Sequence, residues 1–225
     1  MRLLLLRHGQ TSSNVLGLLD TDAPGPSLTD LGERQAREVP VALAALALAP
    51  QALFVSTVLR TQQTAVPSAR EFALRGTVLA GVREIEAGAL EDLSDPESVR
   101  TYLTTAFSWA DGDLDRRIPQ GPDGHEFLAR FDEAIAQVVA TDAPTALVVS
   151  HGMAIRTWAA ARAANVGPGF AAEHELDNTG LVTLETDAEG RWRLVDWHAD
   201  PIMGPQLADA TAVDPIKRTL DELPD

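Results

Sequence analysis

The sequence contains no cysteine, which excludes disulfides, thiolate zinc sites and a cysteine nucleophile. Lysine is almost absent as well. Lys217 stands alone, so nearly all of the 18 basic residues are arginines, against 33 acidic ones and a net charge of −15. With a pI near 4.6, such a chain repels nucleic acid and anionic membranes, because phosphate backbones and headgroups are held by clustered cations. Any anion site must therefore be built from particular arginines. Long apolar runs are missing too. Leu3 to Leu6 is interrupted at once by Arg7 and His8, too short for a signal-peptide core. No segment approaches the ~20 apolar residues of a membrane span. The expectation is a soluble, cytoplasmic protein with no nucleic-acid or membrane partner; composition leaves its oligomeric state open.

What is present points to a globular α/β chain. A length of 225 residues suits one large domain or two small ones, and 45% apolar residues suffice for a sizeable core. Short apolar runs at Arg2 to Leu6, Ala52 to Val55, Thr77 to Leu79 and Ala146 to Val149 read as strands. Helical patterns lie between them: Asp30 to Ala47 behind an N-cap at Thr29, Leu59 to Leu74, Pro96 to Ala110, Glu126 to Thr141 and Met153 to Ala164. Pro40 is expected to kink or split the first of these. Leu181 to Glu185 and Arg191 to Trp197 read as a hairpin turning at Asp187 to Gly190. Alternating strands and helices predict a single domain with a mostly parallel sheet flanked by helices on both faces. Residues 1–198 form the expected domain, 90–124 an insertion over one end of the sheet, and 199–225 a C-terminal tail with little periodicity.

One pattern occurs twice. An apolar strand ends and His-Gly follows, at Leu6-Arg7-His8-Gly9 and at Val149-Ser150-His151-Gly152. Residues just past the strand ends of a parallel sheet face the ligand crevice, and glycine lets the backbone approach a ligand closely. Two unrelated strand-capping histidines is the plain alternative. Arg7 weighs against it, because a guanidinium beside a buried histidine is costly without an anion, and its planar fork of donors suits phosphate. Arg60, in Ser-Thr-Val-Leu-Arg-Thr after the second strand, sits near a helix start, itself a favourable place for an anion.

These stretches together resemble the histidine phosphatase superfamily, also called phosphoglycerate mutase-like proteins. LLLLRHGQTSSN is similar to its opening signature, SLTDLGERQA to the helix that follows and STVLRTQQTA to its second arginine motif. GVREIEAGALED is similar to its acid-bearing loop and VVSHGMAIR to its second histidine motif, with a fainter match near Asn178. The resemblance implies that His8 attacks phosphorus, that Arg7, Arg60 and His151 bind the phosphoryl oxygens, and that Glu84 protonates the leaving oxygen. It also implies that Asn14 and the backbone at Gly152 touch phosphate. Glu86, two residues on, is a rival for the acid. Gln10 stands where many relatives have glutamate. His125, in a stretch similar to a family Gly-Glu-Ser segment, is either a substrate contact or a solvated helix start. No cofactor and no metal ligand is implied.

The implied activity is hydrolysis of a small phosphomonoester through a phosphohistidine. The long signature of the glycolytic mutases is missing after the first histidine, and between Leu90 and Pro119 only Arg100, Arg116 and Arg117 are basic. Both points favour hydrolase over phosphoglycerate mutase. A catalytically silent relative that binds phosphorylated ligands is the rival of a different class. A zinc hydrolase lacks its HExxH-type spacing.

Overall fold

A computed structural model describes residues 1–219. The last six residues, including the end of the expected tail, lie outside the described residues. Six strands form one sheet: β1 (Arg2–Arg7), β2 (Ala52–Val55), β3 (Gly76–Val78), β4 (Thr145–Ser150), β5 (Leu181–Thr186) and β6 (Trp192–His198). Their order is β3-β2-β4-β1-β5-β6. The first four run parallel, and β5 and β6 add antiparallel at one edge.

The helices are α1 (Ser12–Leu16), α2 (Asp30–Ala45), α3 (Leu59–Glu71), α4 (Pro96–Ala110), α5 (Gly124–Val139), α6 (Gly152–Arg162) and α7 (Phe170–Glu173). They cover both faces. β1 explains why: its Leu3 and Leu5 point into one apolar cluster, Leu4 and Leu6 into the other, as alternate strand positions must. All four leucines are fully buried, worth about 1.5–3 kcal/mol each. A strand packed on both faces reads as a continuous apolar run, which is what this one is.

The helix boundaries follow their caps. Thr29 Oγ1 accepts from Gly32 N at 3.1 Å and starts α2. Asp95 caps α4 with Pro96 in its first turn, where a missing N–H costs nothing. Asp123 and Glu126 form a capping box that starts α5 two residues before the periodicity predicts. Pro40 neither splits nor ends α2, which runs unbroken to Ala45. Buried faces of α2 against the sheet and α3 compensate the lost hydrogen bond. Two short helices, α1 and α7, are invisible to sequence periodicity because each is shorter than two turns.

Residues 199–219 return across the domain. Leu207 O accepts from Gln35 Nε2 at 2.8 Å, and Ile216 O accepts from Arg156 Nη1 at 2.6 Å. Among the described residues no helix is long and apolar enough to cross a membrane.

Candidate active site

The parallel register of β1 and β4 pairs Arg7 with Ser150, so His8 and His151 leave the sheet side by side. Their rings meet edge to face with centroids 5.3 Å apart. β2 lies on the other side of β4, and the turn after it starts α3, whose second residue is Arg60. Three neighbouring strand ends thus deliver the predicted histidines and arginines to one edge of the sheet.

His8 is held in one tautomer. Its Nδ1 lies 2.8 Å from Gly9 O; a carbonyl only accepts, so Nδ1 carries the proton. Nε2 then has a free lone pair, which accepts from Arg60 Nε at 3.2 Å. Burial, then Arg60 and Arg7, lowers the His8 pKa well below the ordinary histidine value, against the pull of the Gly9 carbonyl. His151 is lowered too, by burial first and then by Arg60 and the other nearby charges. Its Nε2 is 3.0 Å from Ser56 Oγ, and its Nδ1 has no hydrogen-bond partner.

Each arginine is met by a carboxylate. Arg7 donates through Nη1 to Leu176 O at 2.7 Å and through Nη2 to Asp214, while its buried Nε has no partner. Arg60 donates through Nη2 to Asp20 O at 3.0 Å, and its Nη1 lies 3.4 Å from Asp20 Oδ1. Burial lowers the Arg60 pKa, and Asp20 and Glu84 oppose that loss. Neither aspartate carries a sequence signal: Asp20 lies in the turn after α1, and Asp214 in the weakly patterned tail.

The two candidate acids separate cleanly. Glu84 is buried at the start of α6, where its carboxylate accepts from Ile85 N, Ala154 N and Met153 N at 2.9, 2.8 and 3.1 Å. Burial still raises its pKa, outweighing those donors and Arg60. Glu86 turns away to Arg83 Nη2 at 2.5 Å and Arg130 Nη2 at 3.4 Å. Arg130 also donates to the carbonyls of Gly81, Arg83 and Glu84, bracing the acid loop.

A narrow cavity with a free volume of about 20 Å³ is lined by Arg7, His8, Asn14, Arg60 and Glu84, together with Ser13, Leu18, Leu19, Asp20, Thr21, Tyr102 and Ile216. Asn14 is also the N3 member of the α1 capping box, accepting from Thr11 N at 2.9 Å and from Asn178 Nδ2 at 3.2 Å. Asn178 additionally donates to His8 O at 3.2 Å, which accounts for the faint motif there.

Gln10 and His125 do not reach this cavity. Gln10 is buried but accepts from Thr29 Oγ1 at 2.8 Å and donates to Asp209 Oδ2 at 2.9 Å. His125 is exposed at the start of α5, 3.0 Å from Asp115. Both glycines pack closely against protein. Gly9 packs its backbone against the start of α2, where a Cβ would lie 2.6 Å from Gly32 O, and a Cβ on Gly152 would lie 2.4 Å from Ile216 Cγ2. Their smallness admits protein: the α2 backbone at Gly9 and the tail at Gly152.

His8, Arg7, Arg60 and the buried Glu84 line one cavity, with the His151 ring packed edge to face on His8, an arrangement suited to phosphoryl transfer. The histidine phosphatase superfamily (branch 1) matches residues 3–200, and the chain belongs to that family. PE-PGRS family protein PE_PGRS11 of Mycobacterium tuberculosis is 34% identical over 225 residues; the match spans 93% of this chain but only 38% of that relative. A probable phosphoglycerate mutase GpmB of Proteus mirabilis is 32% identical over 162 residues, covering 69% of this chain and 71% of the relative. A solved mycobacterial glucosyl-3-phosphoglycerate phosphatase, Rv2419c, in complex with VO3 superposes with a TM-score of 0.72 at 26% identity, covering 88% of this chain and 99% of the other.

Proposed function

We propose that this chain hydrolyses phosphomonoesters of small metabolites through a phosphohistidine on His8, without a metal, in a cytoplasmic setting. The observation that carries the reading is the His8 ring. Its proton is fixed on Nδ1 by Gly9 O, and its Nε2 lone pair faces Arg60 beside Arg7 and Glu84.

In the first step Nε2 attacks phosphorus, the P–N bond forms and the bond from phosphorus to the ester oxygen breaks. A neutral imidazole does this well near neutral pH. Arg7, Arg60 and His151 hold the equatorial oxygens with fixed donors in a water-poor site. The unpartnered Arg7 Nε is one such donor. Asn14 and the backbone at Gly152 complete the anion's surroundings; Gln10 and His125 serve as structural residues in this reading. Glu84, kept partly protonated by burial, gives its proton to the departing alkoxide. A water then attacks the phosphorus, its proton returns to Glu84, and the P–N bond breaks to release inorganic phosphate. Residues 90–124 act as a cap, contributing Tyr102 to the cavity wall.

A mutase reading rests on the GpmB relatives. It differs only in the acceptor, an alcohol in place of water.

The test is turnover of p-nitrophenyl phosphate in EDTA, with an alkaline denaturing quench and recovery under alkaline conditions to trap the adduct. Wild type is expected to form an acid-labile, base-stable adduct on His8. His8→Ala is expected to melt as wild type does but to give neither adduct nor product. An adduct on His151, or full activity in His8→Ala, overturns the assignment.

A further inference from the structure

We infer that Asp20 makes this site select phosphate esters of neutral, hydroxyl-bearing alcohols over esters that carry a second anionic group. The inference rests on the phosphatase reading above and deepens it.

The cavity wall divides by chemistry. Arg7, His8, Arg60 and Glu84 are the groups assigned to the phosphoryl transfer. The rest of the lining apart from Asn14 is Thr11, Ser13, Leu18, Leu19, Asp20, Thr21, Tyr102 and Ile216, and we assign it to the leaving group. Asp20 is the one charged side chain in that second set, and it is an anion. It is held in place from two directions: Ser13 Oγ donates to its Oδ2 at 2.5 Å, and Arg60 Nη1 lies 3.4 Å from its Oδ1. Its side chain is 13% exposed, so solvent screens it only partly.

A carboxylate or second phosphate on the leaving group needs a cation of its own. Among the described residues, the cavity lining supplies none beyond Arg7 and Arg60, and each of these already faces an aspartate. Three cations outside the lining are committed elsewhere. Arg83 and Arg130 hold Glu86, and Lys217 donates to Asp209 O at 2.8 Å beside Asp177. Behind Asp20 the same turn is braced by a further carboxylate, Glu91, which accepts from Thr21 N at 2.6 Å and Asp22 N at 3.0 Å. A second anion would thus sit against like charge with no compensating partner, and selection by an unfavourable contact is as effective as selection by a favourable one. A hydroxyl, in contrast, is a donor, and the Asp20 carboxylate has acceptor positions to receive it.

The test uses a matched pair, glycerol 3-phosphate and 3-phosphoglycerate, which differ by a hydroxymethyl in place of a carboxylate. With wild type, kcat/KM is expected to favour glycerol 3-phosphate by about tenfold or more, a modest share of a partly screened like-charge contact. Asp20→Asn keeps the shape and an acceptor oxygen toward Arg60, with its amide NH2 able to donate to Ser13 Oγ, while removing the charge, and should shrink that ratio by about tenfold. The ratio is the readout, so a general change in Arg60 cancels. Equal use of the two esters by wild type, or a ratio unmoved in Asp20→Asn, overturns the inference. Turnover of p-nitrophenyl phosphate separates this from the parent reading: if it is hydrolysed, only the selectivity has failed. If nothing is hydrolysed, the parent reading falls, and the ratio of dissociation constants by calorimetry decides the role of Asp20.

Discussion

Removing Asp214 should damage this protein out of proportion to the size of the side chain. Asp214 and Arg7 are an ion pair in which the side chains are 2% and 1% exposed. Taking away one partner of a buried pair leaves an uncompensated charge, at a cost of about 3–5 kcal/mol. For a chain of this size each kcal/mol lowers the melting temperature by about 2–4 °C, so Asp214→Ala should melt roughly 6–20 °C below wild type. Asp214→Asn retains one acceptor oxygen, for Arg7 or for Ile216 N, which now donates to Asp214 Oδ1 at 3.0 Å, and should lose less than Asp214→Ala. The diagnostic variant removes both charges. Because the penalty lies in the orphaned guanidinium, Arg7→Met combined with Asp214→Ala should melt higher than Asp214→Ala alone, a strongly non-additive cycle. Thermal unfolding by calorimetry measures wild type, Asp214→Ala, Asp214→Asn, Arg7→Met and the double variant. An Asp214→Ala protein melting within about 1 °C of wild type, or a double variant whose losses simply add, refutes the reasoning that the tail neutralises Arg7.

The remaining predictions concern Glu84 and acid stability. Glu84→Gln should slow the hydrolysis of an alkyl phosphate by ~10²-fold while sparing phosphoryl transfer from p-nitrophenyl phosphate, whose leaving group hardly needs a proton. Glu86→Gln, which breaks only contacts to Arg83 and Arg130, should do little; the opposite pattern would move the acid to Glu86. His8 and His151 are both held well below 6.5 by burial, so below that pH the unfolded chain binds protons that the folded chain refuses. Stability present above pH 6.5 should fall as the pH drops, by about 1.4 kcal/mol per pH unit for each histidine until its folded value is reached. Glu84, whose pKa is raised, works in the other direction, since its folded carboxyl binds a proton that the unfolded one releases above pH 4.5. Urea midpoints measured across this range should show a flatter acid limb in His151→Asn than in wild type; parallel limbs would rule out the buried neutral histidine as its cause.

Most of the sheet was legible because its signals are local. The leucine run of β1 and the matching run of β4 announce strands buried on both faces, and each is followed directly by His-Gly. Thr29, Asp95 with Pro96, and the Asp187 to Gly190 turn mark element ends within a few residues. The motif arginines and histidines were legible for the same reason, since each is attached to a strand end or a helix start. Motif position pointed to Glu84 over Glu86, but what turns the two apart was not legible, because the turn between them is set by contacts with α6 and Arg130 rather than by local pattern.

By itself, then, the sequence determined the alternation of strands and helices, the absence of thiol chemistry and the pairing of two strand-end histidines with two arginines. Tertiary structure alone decided what faces those arginines. Asp20 meets Arg60 across 40 positions and Asp214 meets Arg7 across 207. A carboxylate in a turn or an unpatterned tail looks like any solvated acid until folding brings it to a buried guanidinium. The physical reason is that periodicity and capping report only neighbours within a turn or two of chain. Charge compensation in a buried site depends on distance in space, and a chain with 33 acidic residues offers many candidates that no local signal can rank.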